Sequence, residues 1–266
     1  MTGRAILGGV LAGVAGAAMV GWAASRRITI SRHRVGSELG GPPLRLVQLA
    51  DLHLRSFDAL AGRIAEATLE LRPDLLLLTG DSVEHPDGLD ALDEFLGRVD
   101  APGVAVIGNW DYAVEIDRDA LAEVYERHGI RLLVNETLDL ETRLGPVAIT
   151  GLDDAVEGDP AAWRTSDGPI AAGRRMAIGH EPTLRDRFDP DDPDGPRWMV
   201  AGHTHAGQIR LPGWAPVLPE ESETYVAGWY RDRRPWLYVS RGLGTSRLPL
   251  RLFAPPEIAL FEWWPG

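Results

Sequence analysis

Five times in this chain a short apolar run stops at a small residue and is followed at once by a side chain able to hold a metal ion. The runs are residues 46–50 before Asp51, 75–78 before Thr79-Gly80-Asp81, 104–108 before Asn109, 176–179 before His180 and 198–202 before His203. Apolar runs of that length bounded by glycine read as buried strands, and open α/β sheets place their ligands just beyond the carboxyl ends of such strands. Five strands are therefore expected to deliver oxygen and nitrogen donors to one rim.

The near neighbours His53 and His205 complete a set of Asp51, His53, Asp81, Asn109, His180, His203 and His205, in a chain without cysteine. Imidazole, carboxylate and amide oxygen together suit Mn, Fe or Zn, and seven donors are too many for one ion unless a carboxylate bridges two. Two divalent metal ions are the expected cofactors. Paired ions roughly 3.5 to 4 Å apart clamp a phosphoryl group and activate a water for attack on it. Metal-assisted phosphoester hydrolysis is the first functional expectation.

At these residues the chain resembles the calcineurin-like metallophosphoesterase family, whose pattern runs D-x-H, G-D, G-N-H-D/E, a lone H and G-H-x-H. The matches are Asp51-Leu52-His53, Gly80-Asp81, Gly108-Asn109-Trp110-Asp111, Gly179-His180 and Gly202-His203-Thr204-His205, in the family order across residues 44–210. The resemblance implies that Asp51, His53 and His205 hold one metal, that Asn109, His180 and His203 hold the other, and that Asp81 bridges them. It implies catalytic roles for Asp81, Asn109, Asp111 and His203, and an α/β fold of four layers, a two-sheet β-sandwich flanked by helices. The stretches 202–212 (Gly202 to Pro212), 239–246 and Pro255-Pro256-Glu257-Ile258 look like the membrane-associated YaeI-like and YkuE-like bacterial branch. That branch is linked to hydrolysis of UDP-2,3-diacylglucosamine in lipid A synthesis, so a phosphorylated lipid or nucleotide-linked substrate is expected.

Trp110 departs from the pattern. In most of the family a histidine stands there and protonates the leaving group, whereas an indole N–H does not titrate in this way. Without that acid the site should favour leaving groups that depart unprotonated, such as the phosphate side of a pyrophosphate. Trp110 either packs beside the site or stacks on a substrate base, and Arg241 is a candidate contact for substrate phosphate, as are Arg247 and Arg251. A metal-bearing protein that binds such a substrate with little turnover, and a broad phosphodiesterase of cell-envelope substrates, are the alternatives.

Composition narrows the remaining chemistry. The absence of cysteine excludes thiol nucleophiles, disulfides and iron–sulfur clusters, and the absence of lysine excludes Schiff-base chemistry and a P-loop lysine. A formal net charge of −12 argues against nucleic acid as partner. With 266 residues and donors spread from position 51 to 205, one catalytic domain over 44–264 is expected.

Residues 5–24 are apolar and uncharged, and about 20 such residues can span a bilayer. Arg4 precedes this run, while Arg26, Arg27, Arg32 and Arg34 follow it, which by the positive-inside rule keeps the catalytic domain cytoplasmic. A single anchor over residues 1–30 in the cell inner membrane is the expectation; a cleaved signal and an exported protein are the alternative. Helical periodicity is expected over 57–71, 89–99 and 118–128, giving βαβ units. His33, His85 and His128 fall outside every motif and read as surface residues.

Overall fold

The computed structural model describes residues 26–37, 41–161, 170–210, 218–220, 222, 224–246 and 249–266, with Gly16, Met19 and Ala23. Its twelve described strands form two mixed sheets of six. In chain order they are β1 (Thr29–Gly36), β2 (Leu44–Leu49), β3 (Leu75–Thr79), β4 (Gly103–Val106), β5 (Ile130–Leu132), β6 (Glu136–Leu140), β7 (Val147–Gly151), β8 (Arg175–Ile178), β9 (Trp198–Ala201), β10 (Gly228–Tyr230), β11 (Trp236–Val239) and β12 (Glu257–Trp264). The first sheet runs β1-β12-β2-β3-β4-β5 and the second β10-β11-β9-β8-β7-β6. β2, β3 and β4 pair in parallel, as do β7, β8 and β9, so each group ends on one edge.

The unbroken apolar runs follow from burial on both faces. Alternate residues of β2 and β3 face opposite ways: Leu46 and Leu77 enter the core between the sheets, while Val47, Leu49, Leu76 and Leu78 pack outward under helices. Those helices are α1 (Ala59–Glu70), α2 (Leu89–Val99) and, after the short α3 (Asn109–Ala113), α4 (Arg118–Arg127). The Asp58 carboxylate caps α1 by accepting the N–H groups of Leu60 and Ala61, and Asp117 caps α4 in the same way. α1 buries Ala61, Ile64, Ala65 and Thr68, the stripe its helical period dictates. On the far side of the sandwich a 3₁₀ turn, Pro182–Arg187, and Tyr225 cover the second sheet.

Between the sheets Trp198, Phe261, Trp263 and Tyr238 fill the centre. His33, expected at the surface, is half-buried: its ring lies 4.4 Å from Tyr238 and 5.2 Å from Phe261, and it accepts the indole N–H of Trp229. It is carried there by β1, an edge strand paired in parallel with β12 along Thr29–Gly36, so the sheet begins upstream of residue 44.

The expected inner-membrane anchor is not supported. Among the described residues no helix is long and apolar enough to cross a membrane. The longest described helix, α1, has 12 residues and is polar on one face, against the roughly 20 apolar residues a span requires. Most of residues 5–24, on which the expectation rested, lies outside the described residues.

Candidate metal centre

Each expected donor sits two to four residues beyond a strand end. β2 leads to Asp51, β3 to Asp81, β4 to Asn109 at the start of α3, β8 to His180 and β9 to His203. Five of these residues turn sharply off their strands: Asp51, His53, Asp81, His203 and His205 have φ of 52°, 47°, 52°, 69° and 49°. Non-glycine residues avoid that left-handed region, and such conformations concentrate at functional sites. The glycines between strand and donor are demanded by space. A Cβ on Gly80 would lie 2.5 Å from His180 Nδ1, and one on Gly108 would strike the Asp81 carboxylate.

Three atoms converge at one end of the cluster. Asn109 Oδ1 is 3.1 Å from His180 Nε2 and 3.0 Å from His203 Nδ1, and those two nitrogens are 3.1 Å apart. The outer nitrogens face carbonyl oxygens, His180 Nδ1 at 2.8 Å from Thr79 and His203 Nε2 at 2.7 Å from Glu220. A carbonyl only accepts, so each outer nitrogen carries a proton and each neutral ring turns a lone pair inward. When both rings are neutral, three lone pairs face one another, a donor set that fits a divalent ion.

At the other end stand Asp51, His53 and His205, whose donor atoms lie within 4.8 Å of one another. His53 Nε2 and His205 Nε2 are 3.2 Å apart, and Asp51 Oδ2 is buried without a hydrogen-bond partner. Asp81 Oδ2 lies between the two ends, 3.5 Å from His53 Nε2 and 3.4 Å from His180 Nε2. His205 differs from the other imidazoles because the buried Arg251 guanidinium donates to its Nδ1 at 3.0 Å. A neutral His205 ring so held carries its own proton on Nε2, and that proton must leave for the nitrogen to take a metal.

Electrostatics follow from this crowding. Burial drives the Asp51 carboxyl above its usual range, with the Asp81 charge adding to it. Burial also disfavours charge on His180, but the adjacent Asp81 overrides it and holds His180 well above an ordinary histidine. Burial and the charge on His180 push His203 down to about 4, and burial with Arg251 holds His205 well below the histidine range. Burial and the Asp81 charge raise Asp111 to about 7.

Asp111 Oδ2 accepts the N–H groups of Asp81 at 3.1 Å and Gly108 at 3.0 Å, so this carboxyl ties two donor-bearing loops together. Trp110 packs edge-on against His53, and its indole N–H donates to the Glu84 carbonyl at 3.1 Å. Arg241 does not enter the cluster: its guanidinium donates to Thr29 Oγ1 and the Pro255 carbonyl and lies 3.3 Å from Glu257. Arg247 lies outside the described residues.

Two neighbours escape sequence reasoning, Glu84 and Glu181. The Glu84 carboxylate lies 2.8 Å from His53 Nδ1 and, on its other oxygen, 2.7 Å from Arg55. Glu181 is fully buried beside His180, accepts the Ala155 N–H at 2.7 Å and sits 4.0 Å from His203 Nδ1; burial and the nearby Asp154 raise its carboxyl well above the usual range. Arg251, expected as a phosphate contact, is instead fully buried with its guanidinium on His205 Nδ1. Only Glu181, next to a donor histidine, carried a positional signal.

Two mixed sheets flanked by helices, with Asp, Asn and His donors gathered at the strand ends, define a metal-binding phosphoesterase. Residues 44–207 match the calcineurin-like phosphoesterase family model, and the chain belongs to that family of hydrolases acting on phosphoester bonds. It is 31% identical to the metallophosphoesterase YkuE of Bacillus subtilis, across 88% of this chain and 85% of that protein. It is also 31% identical to the phosphodiesterase YaeI of Escherichia coli K12, across 87% and 86% of the two chains. The UDP-2,3-diacylglucosamine pyrophosphatase LpxG of Chlamydia muridarum is 28% identical across 82% of this chain and 83% of its own.

Proposed function

We propose that this protein is a dinuclear metal-dependent phosphoesterase that cleaves a phosphoanhydride or phosphodiester whose leaving group departs without protonation. The observation that carries this reading is the Asp81 carboxylate oxygen, placed almost equally far from His53 and His180, the two ends of the donor cluster. Asp51, His53 and His205 would hold one divalent ion and Asn109, His180 and His203 the other, with Asp81 shared and Mn, Fe or Zn suiting the donors. Bound there, the ions would polarise the phosphoryl group and lower the pKa of a water for attack.

The chain's own residues set the rest. The Asn109 amide oxygen and the inward nitrogens of His180 and His203 fix where a phosphoryl group is drawn. Asp111 acts as a tie between loops, because both donors it meets are backbone N–H groups. Trp110 has spent its N–H on Glu84 and offers no proton to a leaving oxygen. That absence favours pyrophosphate and aryl leaving groups, and the relationship to LpxG makes a lipid-linked nucleotide pyrophosphate the first substrate to try.

The test is UMP release from UDP-2,3-diacylglucosamine and nitrophenol release from bis(p-nitrophenyl) phosphate, by metal-free protein resupplied with Mn²⁺. Both should depend on metal and be lost in His203→Ala. Cleavage of the aryl diester alone would leave a phosphodiesterase of another substrate. A metal-loaded protein that cleaves neither would overturn the reading in favour of a binding protein.

A further inference from the structure

Glu181 and Asp154 stand three residues beyond the ends of β8 and β7, two strands paired in parallel in the second sheet. Both carboxyls are fully buried, and one oxygen of each, Glu181 Oε1 and Asp154 Oδ2, has no hydrogen-bond partner. Their other oxygens are taken by backbone. Glu181 Oε2 accepts the Ala155 N–H at 2.7 Å, while Asp154 Oδ1 accepts those of Val156 at 2.9 Å and Glu157 at 2.7 Å. Among the described residues neither carboxyl pairs with an arginine. A buried carboxylate without a counter-charge is costly, so the free oxygen of Glu181 requires either a cation or a proton shared with Asp154.

The free oxygen is also the one nearer the donor cluster. Glu181 Oε1 lies 4.0 Å from His203 Nδ1, the nitrogen that faces Asn109 and His180. Donor atoms of His180, Glu181 and His203 all lie within 4.8 Å of one another. Two donors that one ion holds at about 2.0 to 2.2 Å can stand up to about 4.3 Å apart. Glu181 is therefore within reach of an ion bound by the two histidines.

We propose that Glu181 is a further ligand of the ion held by Asn109, His180 and His203, giving that ion a carboxylate of its own besides the shared Asp81. The inference rests on the two-ion reading above. Asp81, Asn109 and Glu181 then offer oxygen beside the two imidazoles, and carboxylate and carbonyl oxygens suit Mn²⁺ better than Zn²⁺. Glu181 is thus the residue that sets which metal this half of the cluster prefers.

Isothermal titration of the metal-free full chain with Mn²⁺ and with Zn²⁺ tests this in Glu181→Gln, Glu181→Asp and Asp154→Asn, with folding checked by circular dichroism. Glu181→Gln keeps an oxygen for the Ala155 N–H but loses the charge, whereas Glu181→Asp keeps the charge and shortens the reach. We expect both to weaken one of two Mn²⁺ sites by about tenfold or more, and Zn²⁺ at that site by less. Asp154→Asn should change Mn²⁺ affinity by less than about threefold, since it removes no ligand. The visible absorption of Co²⁺-loaded protein should strengthen in Glu181→Gln, because losing a ligand moves the ion towards four-coordination. Should Glu181→Gln not fold, Glu181→Asp decides. Unchanged Mn²⁺ binding in the Glu181 variants overturns the proposal. So do equal losses in Asp154→Asn and Glu181→Gln with none in Glu181→Asp, which would mean that the two carboxyls share a proton and act on the ion through charge alone. A wild type that takes up no metal would sink the two-ion reading along with this one, whereas two bound ions indifferent to residue 181 would sink this one alone.

Discussion

Glu84 lies 2.8 Å from His53 Nδ1, and the opposite nitrogen of the same ring faces Asp81 and His205. A carboxylate behind a donor histidine fixes the tautomer and the ring orientation, and raises the basicity of the nitrogen that meets the metal. Arg55 in turn holds the carboxylate from outside at 2.7 Å. Burial works to raise the Glu84 carboxyl, yet these two neighbours bring it below the usual glutamate range.

Glu84→Gln should therefore weaken Mn²⁺ binding by about 10- to 100-fold while leaving the fold intact. Isothermal titration of metal-free protein checks this. An unchanged affinity would mean that His53 is held by the loop alone.

Metal uptake should release protons near neutral pH. The raised His180 carries a proton that a cation must displace, whereas His203, at about 4, has none to give. Affinity for Mn²⁺ should then climb as pH rises from 6 to 8, and a pH-stat should record the released proton. In metal-free protein the same raised value stabilises the fold fully below the unfolded-state pKa of about 6.5, and that contribution is lost as pH rises through the folded value. Metal should abolish this His180-dependent loss, which thermal melts with and without Mn²⁺ would show.

Trp110→His should restore a proton donor where the family usually has one. Turnover of alkyl phosphodiesters should then rise more than that of pyrophosphates, because only the former need protonation of the departing oxygen. Equal changes in both, measured as kcat/KM, would show that the indole serves only as the wall beside His53.

Arg251→Met should lower stability by roughly 3 kcal/mol or more, because buried acceptors would lose their donor. The buried guanidinium donates to the carbonyls of Arg241, Gly244 and Ala254 as well as to His205. Denaturant melts check the loss. Arg251→Lys should rescue little of it, since one ammonium cannot copy the planar fork.

The clustering of these side chains was legible from the sequence because a strand buried on both faces leaves an unbroken apolar run, and the residue after such a run has one place to go. Asp51, Asp81, Asn109, His180 and His203 were expected at one rim on this ground, and the structure brings their side chains together. Glu84 was not legible, because it reaches His53 through a loop with no periodic signal, and Arg251, read as a phosphate contact, turns its guanidinium to His205 instead. The edge strand β1 was read as a basic flank of the apolar N-terminus. Its partner β12 lies 228 residues further on at the pairing of Thr29 with Glu257, and no local pattern announces a contact at that range. Arg241 was singled out as an arginine near a motif, but Glu257 and Thr29 take up its guanidinium.

The donors come from both sheets: Asp51, His53, Asp81 and Asn109 from the first, and His180, His203 and His205 from the second. Just beneath them the buried Gln48 amide spans the same gap, donating to Thr79 Oγ1 at 3.1 Å and to the Ala201 carbonyl at 2.9 Å. Neither half of the sandwich owns a reactive centre. During synthesis the ribosome must release more than two hundred residues before the last histidine can meet the first aspartate. Assembly of the whole cluster thus waits until both halves of the polypeptide have been made and have closed on one another.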